Sequence, residues 1–205
     1  CFLKIEGRNV TTQPIKGTRA RGGTPDEDER LKRALLLSAK DQAELLMITD
    51  LERNDLSRVC ERVSVKSLAE IETFAQVHHL VATIEGRLAA DRTVADLLAV
   101  TFPGGSITGA PKIRAMEIIR EIEPTPRNVY TGAIGYLSVD GRAEWNIAIR
   151  TMILKNQIAY FWSGGGIVAD SNAQAEYEET LTKASGMIKS LYPDGRDDRD
   201  LGLQR

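Results

Sequence analysis

The chain has 205 residues, of which 42% are apolar, and its 27 basic and 29 acidic side chains leave a net charge of −2. Such a composition is typical of a globular protein with one sizeable domain or two small ones. The balanced charge, and apolar runs far shorter than the roughly 18 residues of a membrane span, argue against nucleic-acid and membrane partners, and a pair of cysteines, Cys1 and Cys60, favours a cytoplasmic protein without disulfides.

The first predicted elements are two short strands followed by a turn that carries a lysine. Alternating apolar and polar residues flank residues 7–9, which predicts a hairpin within residues 1–15. Lys16 follows directly, and Gly17 beside it permits backbone angles that other residues avoid. We therefore expect Lys16 in a turn at the end of the second strand, placed for chemistry. The alternative is a solvated surface lysine.

Two helices and two longer strands are predicted next. Thr24 is suited to cap a helix that begins at Pro25 and continues to about residue 40. A second helical stretch covers residues 43–55. Runs rich in β-branched residues then predict strands over 63–74 and 78–88.

The following segment is predicted to contain two helices and a strand meander. Helical periodicity predicts helices over residues 93–100 and 110–121. Three successive strands are predicted over residues 132–139, 143–154 and 157–163. Meanders mixed with long helices indicate an α+β fold.

The last predicted element is a helix, because apolar residues recur at helical spacing on one stripe, which contains Ala173, Tyr177, Leu181, Ala184, Ile188 and Leu191. The remaining residues, 193–205, have little apolar area to bury. We expect them to form a flexible tail.

Four carboxylates on the predicted helices are candidate metal ligands. Glu176 and Glu179 lie three residues apart on the last helix, beside Lys183, and Asp41 and Glu44 repeat that spacing at the second helical stretch. Oxygen ligands of this kind suit Mg²⁺, and two such helices could bind one ion. Ordinary ion pairs on solvated helix faces are the alternative.

Three further features could bind or convert a ligand. Residues 164–166 are three glycines between a strand and a helix, where backbone amides could bind an anion or simply form a tight turn. His78 and His79 lie in a strand, so one side chain faces the core and the other the opposite side. Arg150 is predicted to end a strand, where it could bind a carboxylate through two hydrogen bonds or lie exposed on the surface.

Seven motifs occur in one order between Pro14 and Lys183, and they read PIKGTRARG, DLERNDLSRV, FPGGSITGAPK, YTGAIGY, NIAIRT, SGGGIVADS and EYEETLTKA. Together they resemble the motif set of the chorismate-utilising enzymes, a family that includes anthranilate, isochorismate, salicylate and aminodeoxychorismate synthases. The resemblance implies an α+β chorismate-binding fold in which two antiparallel β-sheets stack and helices cover their outer faces. Residues 1–192 would then be part of one catalytic domain.

The first of these motifs favours one branch of the family. PIKGT resembles component I of the aminodeoxychorismate synthases, whereas anthranilate synthases typically read PIAGT. The resemblance implies that Lys16 attacks the second ring carbon of chorismate and expels the ring hydroxyl. Ammonia from a partner glutamine amidotransferase then gives 4-amino-4-deoxychorismate, a precursor of para-aminobenzoate and folate. The alternatives are an anthranilate synthase and a catalytically incomplete fragment that only binds a ligand.

The same resemblance implies roles for the other candidate residues. Glu44 and Glu179 match Mg²⁺ ligands, Asp41 and Glu176 match acids close to the metal, and His79 matches an active-site histidine. The implied substrate-binding residues are Ser106, Tyr130, Arg150, Gly164 and Lys183. In the family a glutamate of a Ser-Pro-Glu motif usually precedes the position of Cys1 and serves as the general acid. We therefore expect this chain to be N-terminally truncated and an incomplete catalyst.

Overall fold

The computed structural model describes residues 1–169 and 171–191, and the predicted tail over 193–205 lies outside them. The chain divides into two compact units: unit 1 consists of Cys1–Pro126 and Ala133–Ile147, and unit 2 of Arg127–Gly132 and the described residues from Ala148 onward. One catalytic domain over residues 1–192 stays a prediction. Within the described ranges, no helix has both the length and the apolar character needed to cross a membrane.

Unit 1 is built on a seven-stranded antiparallel sheet. Its strands are β1 (Leu3–Glu6), β2 (Asn9–Thr12), β3 (Ile15–Ala20), β4 (Cys60–Thr73), β5 (Val77–Leu88), β6 (Ala133–Leu137) and β7 (Ala143–Ile147). The long strand β5 carries β4 along one edge and β3 and β2 in succession along the other. Strands β1, β7 and β6 continue the sheet beyond β2. Strand β3 lies at an edge, and among the described strands it pairs only with β5.

Five helices complete unit 1: α1 (Pro25–Leu36), α2 (Ala39–Ser57), α3 (Val94–Thr101), α4 (Gly105–Thr108) and α5 (Lys112–Ile122). Unit 2 contains the hairpin of β8 (Met152–Lys155) and β9 (Ile158–Phe161), and the helix α6 (Ala173–Leu191). The α+β class and the antiparallel sheets expected from the sequence are confirmed.

The core of unit 1 lies where α2 packs across β3, β4 and β5. One apolar cluster contains Leu35, Leu45 and Leu80, and a second contains Leu56 and Ile84. These side chains are fully buried, and each contributes roughly 1.5–3 kcal/mol through the apolar area that it removes from water. Helix α2 is therefore held firmly on the sheet, and its polar residues are placed by that packing.

Three boundaries differ from the sequence-based predictions. Lys16 does not end a strand in a turn, because residues 15–20 form β3. The first helix ends at Leu36 rather than near residue 40, since Ser38 caps α2 by accepting a hydrogen bond from the Asp41 amide.

The predicted strand over 143–154 is the third difference. It divides into β7 and β8, and Arg150 lies between them with a positive φ of 50° rather than at a strand end. After β7 the chain enters unit 2, where the Ala148 amide donates a hydrogen bond to the Gly132 carbonyl oxygen.

The burial of α6 also differs in part from the predicted apolar face. Ala184 is buried as expected, and Met187 is buried as well. Tyr177 and Leu181, which share the predicted stripe, are about half exposed.

Candidate active site

Strand β3 carries the predicted nucleophile and contains a β-bulge at Gly17. Lys16 lies opposite Leu80, and the register shifts by one residue before Thr18. Gly17 has a φ of +74°, and a Cβ there would stand 2.7 Å from Leu35 Cδ1. Both the backbone angle and the close approach of the helices require glycine, so the bulge is fixed by the sequence.

The bulge directs three cations of this segment toward α1 and α2. The resulting ion pairs are Lys16 Nζ to Glu44 Oε2 at 3.8 Å, Arg19 Nη2 to Asp41 Oδ2 at 3.0 Å, and Arg21 Nε to Asp28 Oδ1 at 2.8 Å. The predicted nucleophile and one predicted metal ligand therefore lie next to each other, and Asp41 is engaged by an arginine. Lys16 has the longest of the three ion pairs and a side chain that is 21% exposed.

His79 lies on the other face of the sheet. Leu80 belongs to the cluster packed against α1 and α2, and successive strand residues point to opposite faces. The His79 ring contacts Thr18, whose hydroxyl is 2.9 Å from Nδ1, and the edge of Phe74, with ring centroids 5.6 Å apart. The structure thus brings Lys16 to Glu44 but places Lys16 and His79 on opposite faces.

Ser106 lies on the short helix α4, which packs against α2. The contact is close because Gly105 approaches Leu51, where a Cβ would stand 2.5 Å from Leu51 Cδ2. Ser106 is thereby positioned by the same helix that carries Asp41 and Glu44. Its predicted contact with substrate stays a prediction.

In unit 2 the structure brings four predicted residues together. The Gly164 backbone approaches the Tyr130 hydroxyl so closely that a Cβ at Gly164 would stand 2.9 Å from it. The Lys183 ammonium donates to the Gly164 carbonyl oxygen at 3.3 Å and pairs with Glu179 at 2.5 Å. A phenol, an ammonium and a glycine backbone at one place are suited to binding an anionic group.

Glu176 lies one turn earlier on α6 and is engaged separately. Its Oε1 accepts a hydrogen bond of 2.7 Å from the Ser171 hydroxyl, and a Cβ at Gly165 would stand 3.0 Å from its Oε2. The glycine-rich segment after β9 therefore contacts α6 at both Glu176 and Lys183. Arg150 is exposed in the segment that connects β7 and β8.

Two of the four predicted metal ligands, Asp41 and Glu44, lie in unit 1, and the other two, Glu176 and Glu179, lie in unit 2. The Mg²⁺ site stays a prediction. Carboxylate oxygens are suitable Mg²⁺ ligands. However, Glu44, Asp41 and Glu179 are paired with cations, and Glu176 accepts a serine hydroxyl. Within residues 1–169 and 171–191, no group of three or more His, Cys, Asp or Glu side chains is arranged to hold a metal ion.

A buried polar cluster of unit 1, formed by Thr12, Glu52, Asp55 and Lys112, was not predicted from the sequence. The Thr12 hydroxyl donates to Glu52 at 2.8 Å, and the Lys112 ammonium donates to Asp55. Burial raises the pKa of Glu52 to about 7 and also raises the pKa of Asp55. A cavity of about 10 Å³, room for one water, adjoins both acids. We call these four residues the Glu52 cluster.

A second unpredicted feature, which we call the Asp28 network, consists of Arg21, Asp28 and His78. Arg21 donates to both Asp28 oxygens at 2.8 and 2.9 Å, and the Gly22 amide donates at 2.9 Å. His78 Nε2 is 2.8 Å from Asp28 Oδ1 in a fully buried position. The Arg21 guanidinium and the Gly22 amide hold the pKa of Asp28 well below its usual range. The carboxylate is therefore ionised.

Comparison with known proteins assigns the chain to a family. The family described as chorismate binding enzyme matches residues 1–189. Among curated relatives, anthranilate synthase component 1 of Mycolicibacterium smegmatis is 48% identical over 93% of this chain and 37% of its own length. Aminodeoxychorismate synthase component 1 of Salmonella typhimurium is 50% identical over 93% of this chain and 42% of its own length. The chain thus spans about two fifths of these relatives.

Solved structures agree on the fold. Anthranilate synthase component I from Streptococcus pneumoniae superposes with a TM-score of 0.81 at 46% identity, covering 91% of this chain and 41% of that one. The menaquinone-specific isochorismate synthase from Escherichia coli superposes with a TM-score of 0.85, covering 93% of this chain and 44% of that one, at 23% identity. The second likeness concerns the fold alone.

Proposed function

The chain belongs to the family of chorismate binding enzymes, and we propose that the protein aminates chorismate to 4-amino-4-deoxychorismate. Relatives named for this activity and relatives named anthranilate synthase are about equally similar, so the choice between them rests on particular residues. The observation that carries the proposal is Lys16, which lies in the PIKGT motif and faces α2 beside Glu44.

The proposed reaction uses the Lys16 amine as a nucleophile. The neutral amine forms a bond to the second ring carbon, the ring double bonds shift, and the hydroxyl on the fourth carbon leaves. The amine proton and the hydroxyl together give water. Ammonia then bonds to the fourth carbon as the carbon–nitrogen bond to Lys16 breaks, and one ammonia proton passes to the lysine nitrogen, which restores the amine. The lysine must be unprotonated when it attacks.

The geometry around Lys16 supports this assignment. Its ion pair at 3.8 Å is looser than those of Arg19 and Arg21, which are 0.8 and 1.0 Å shorter. The guanidinium groups are permanent cations and remain paired, whereas a lysine can give up its proton. Lys16 is therefore the cation of this row whose nitrogen can form a covalent bond to a substrate.

The cluster in unit 2 supports binding of an anionic substrate. Chorismate carries two carboxylates, and Tyr130 and Lys183 place a hydroxyl and an ammonium beside the Gly164 backbone. We propose that this cluster binds the enolpyruvyl carboxylate, with Arg150 contributing from its loop. The roles of Ser106 and His79 in substrate binding and catalysis are proposals of the same kind.

Mg²⁺, ammonia from a glutamine amidotransferase, and a place in folate biosynthesis also belong to the proposal. The proposed metal ligands are Asp41, Glu44, Glu176 and Glu179. Isothermal titration of the protein with Mg²⁺, compared with Glu44→Gln and Glu179→Gln, tests them directly. Equal Mg²⁺ affinity in the wild type and both variants would remove these residues from the metal proposal.

The decisive experiment identifies the product. The full-length protein is incubated with chorismate, Mg²⁺ and ammonium, and the products are separated by liquid chromatography and identified by mass spectrometry. We expect 4-amino-4-deoxychorismate from the wild type, a covalent adduct of the protein, and loss of both in Lys16→Ala. Lys4→Ala removes an exposed lysine paired with Glu6 and is the matched control. An unchanged rate in Lys16→Ala would contradict the proposal.

Anthranilate synthase activity is the second candidate, because relatives with that name reach 48% identity over 93% of the chain. It gives anthranilate and pyruvate, which the same assay detects. A module that binds chorismate without converting it is the third. Calorimetric binding of chorismate without any product would favour that module.

A further inference from the structure

The Asp28 network connects the segment that carries Lys16 to three other elements. Arg21 follows β3 directly and donates to the Phe74 carbonyl oxygen at 3.1 Å, while its amide donates to the Gln76 carbonyl oxygen at 3.1 Å. Asp28 lies on α1, and His78 lies on β5. The end of β3 is therefore joined to a helix, to its partner strand and to the turn between β4 and β5.

The protonation of this network follows from its contacts. An ionised Asp28 can only accept hydrogen bonds, so His78 Nε2 carries a hydrogen and donates it. His78 Nδ1 is 2.9 Å from the Thr73 hydroxyl, which can donate or accept. His78 and Asp28 are buried, whereas the Arg21 side chain is 38% exposed. Neither His78 nor Asp28 can rotate without leaving a buried polar group unpaired.

Such an anchor matters because the register of β3 is vulnerable. The strand has six residues, lies at an edge where it pairs only with β5 among the described strands, and contains the bulge at Gly17. A slip of one residue moves every side chain of a strand to the opposite face. If β3 lost the bulge with Thr18 still opposite His79, Lys16 would move away from Glu44 to the other face of the sheet.

We propose that Asp28 is a positioning residue that, through Arg21 and His78, locks the register of β3 and so holds Lys16 on the face of α2. The inference rests on the proposed function for the role of Lys16 in catalysis, but the lock itself is a statement about strand register. Asp28 does not contact Lys16. It acts through Arg21, which follows Lys16 by five residues, and through His78, which precedes the Lys16 partner Leu80 by two.

The register is measured directly by NMR on the 22.6 kDa chain. Cross-strand nuclear Overhauser effects between Lys16 and Leu80, and between Thr18 and His79, report the bulged pairing. The chain has two histidines, so ¹⁵N imidazole spectra contain two ring systems, assigned with His78→Gln and His79→Gln. In the wild type we expect the tautomer of His78 with hydrogen on Nε2. In Asp28→Asn we expect loss of the Lys16 to Leu80 contact and a shifted His79 signal.

Asp96→Asn is the matched control. Asp96 also has a lowered pKa, because it accepts hydrogen bonds from the Thr93 amide and hydroxyl, but it caps α3 away from β3. We expect Asp96→Asn to lower the melting temperature and to leave the cross-strand contacts and the His79 signal unchanged. Arg21→Lys keeps the positive charge but cannot donate to both Asp28 oxygens in the same way. We expect the bulged register to be populated less than in the wild type and more than in Asp28→Asn.

Kinetics provide the second readout. Misplacement of a reacting group by about 1 Å can cost on the order of 100-fold in rate, so Asp28→Asn should lower kcat by about that factor while KM stays within about twofold. Unchanged cross-strand contacts and kcat in Asp28→Asn, with only a lower melting temperature, would overturn the proposal. If Asp28→Asn loses the cross-strand contacts while Lys16→Ala keeps full amination activity, the role of Asp28 in strand register is supported and the proposed function is refuted.

Discussion

Asp28 and Glu52 are both buried acids of unit 1, with exposed fractions of 8% and 6%, and their pKa values shift in opposite directions. Asp28 accepts hydrogen bonds from a guanidinium and a backbone amide, which favour the carboxylate. Glu52 accepts one from the Thr12 hydroxyl, and burial raises its pKa to about 7. A buried acid stays ionised where charged donors replace its hydration, and it takes up a proton where they do not.

The same comparison separates two regions of the molecule. Beside β3, Asp41 and Glu44 of α2 pair with Arg19 and Lys16, and all four side chains are partly exposed. In the Glu52 cluster the Lys112 ammonium pairs with Asp55, Glu52 accepts a hydrogen bond from Thr12, and the space beside both acids has room for about one water. We infer that the first region is built for binding and the second for holding α2 and α5 in the fold.

Removal of Lys112 should have the largest effect on stability. Lys112→Met leaves Asp55 buried without its ion-pair partner, which costs about 3–5 kcal/mol of unfolding free energy in comparable cases. Urea denaturation followed by circular dichroism measures it. Lys4→Met makes the same substitution at an exposed ion pair, where little or no loss of stability is expected. Equal losses of unfolding free energy in Lys112→Met and Lys4→Met would show that Asp55 does not depend on Lys112 to balance its charge.

The second largest expected effect is a dependence of the unfolding free energy on pH, which follows from the protonation of Glu52. Its folded pKa of about 7 exceeds the ordinary value of 4.5, so the folded state keeps a proton that the unfolded state loses. The contribution of Glu52 is therefore most favourable below pH 4.5, falls as the pH rises from 4.5 to 7, and then levels off. The total loss is at most about 3 kcal/mol.

The measurement is the difference in unfolding free energy between the wild type and Glu52→Gln across that pH range. Glutamine cannot ionise, so the difference should change by the expected amount between pH 4.5 and 7. Glu61→Gln removes an exposed carboxylate and should show no such change. A flat difference for Glu52→Gln would mean that the buried acid is ionised throughout.

Two glycines with similar backbone angles test the bulge beside Lys16. Gly7 has a φ of +64° with open space around its Cβ position, and Gly17 has a φ of +74° with Leu35 and Asp41 within 3.0 Å of it. Gly7→Ala should cost about 1–2 kcal/mol for the backbone angle alone. Gly17→Ala should cost about 1–3 kcal/mol more, because the helices must also move. Equal costs from denaturation would show that the helices yield without penalty.

The sequence predicts those features that depend on neighbours along the chain. The hairpin around residues 7–9 and the helix from Ala173 to Leu191 follow from local periodicity, and both are present. The bulge could not be predicted, because a glycine with positive φ after Lys16 suits a turn equally well. Only the partner strand β5 distinguishes the two.

The unpredicted parts of the polar architecture involve residues far apart in sequence. Lys112 and Asp55 are 57 residues apart, and His78 and Asp28 are 50 apart. No periodicity connects them. Glu52 did leave a local signal, since it falls on the buried stripe of α2 four residues after Ile48 and four before Leu56. An acid on an apolar stripe indicates a buried polar site even when its partner cannot be named.

Lys16→Met should have the smallest effect on stability and the sharpest effect on function. Lys16→Met is the same type of substitution as Lys112→Met. It breaks the ion pair between Lys16 and Glu44, which is 3.8 Å long and joins two partly exposed side chains, so we expect a loss of about 0–1 kcal/mol of unfolding free energy. Amination of chorismate should nevertheless disappear, because methionine cannot form the covalent adduct. A large loss of stability would instead make Lys16 a structural residue like Lys112, and any loss of activity would then follow from unfolding. We therefore expect Lys112 to stabilise the fold and Lys16, whose ion pair contributes little stability, to react with the substrate.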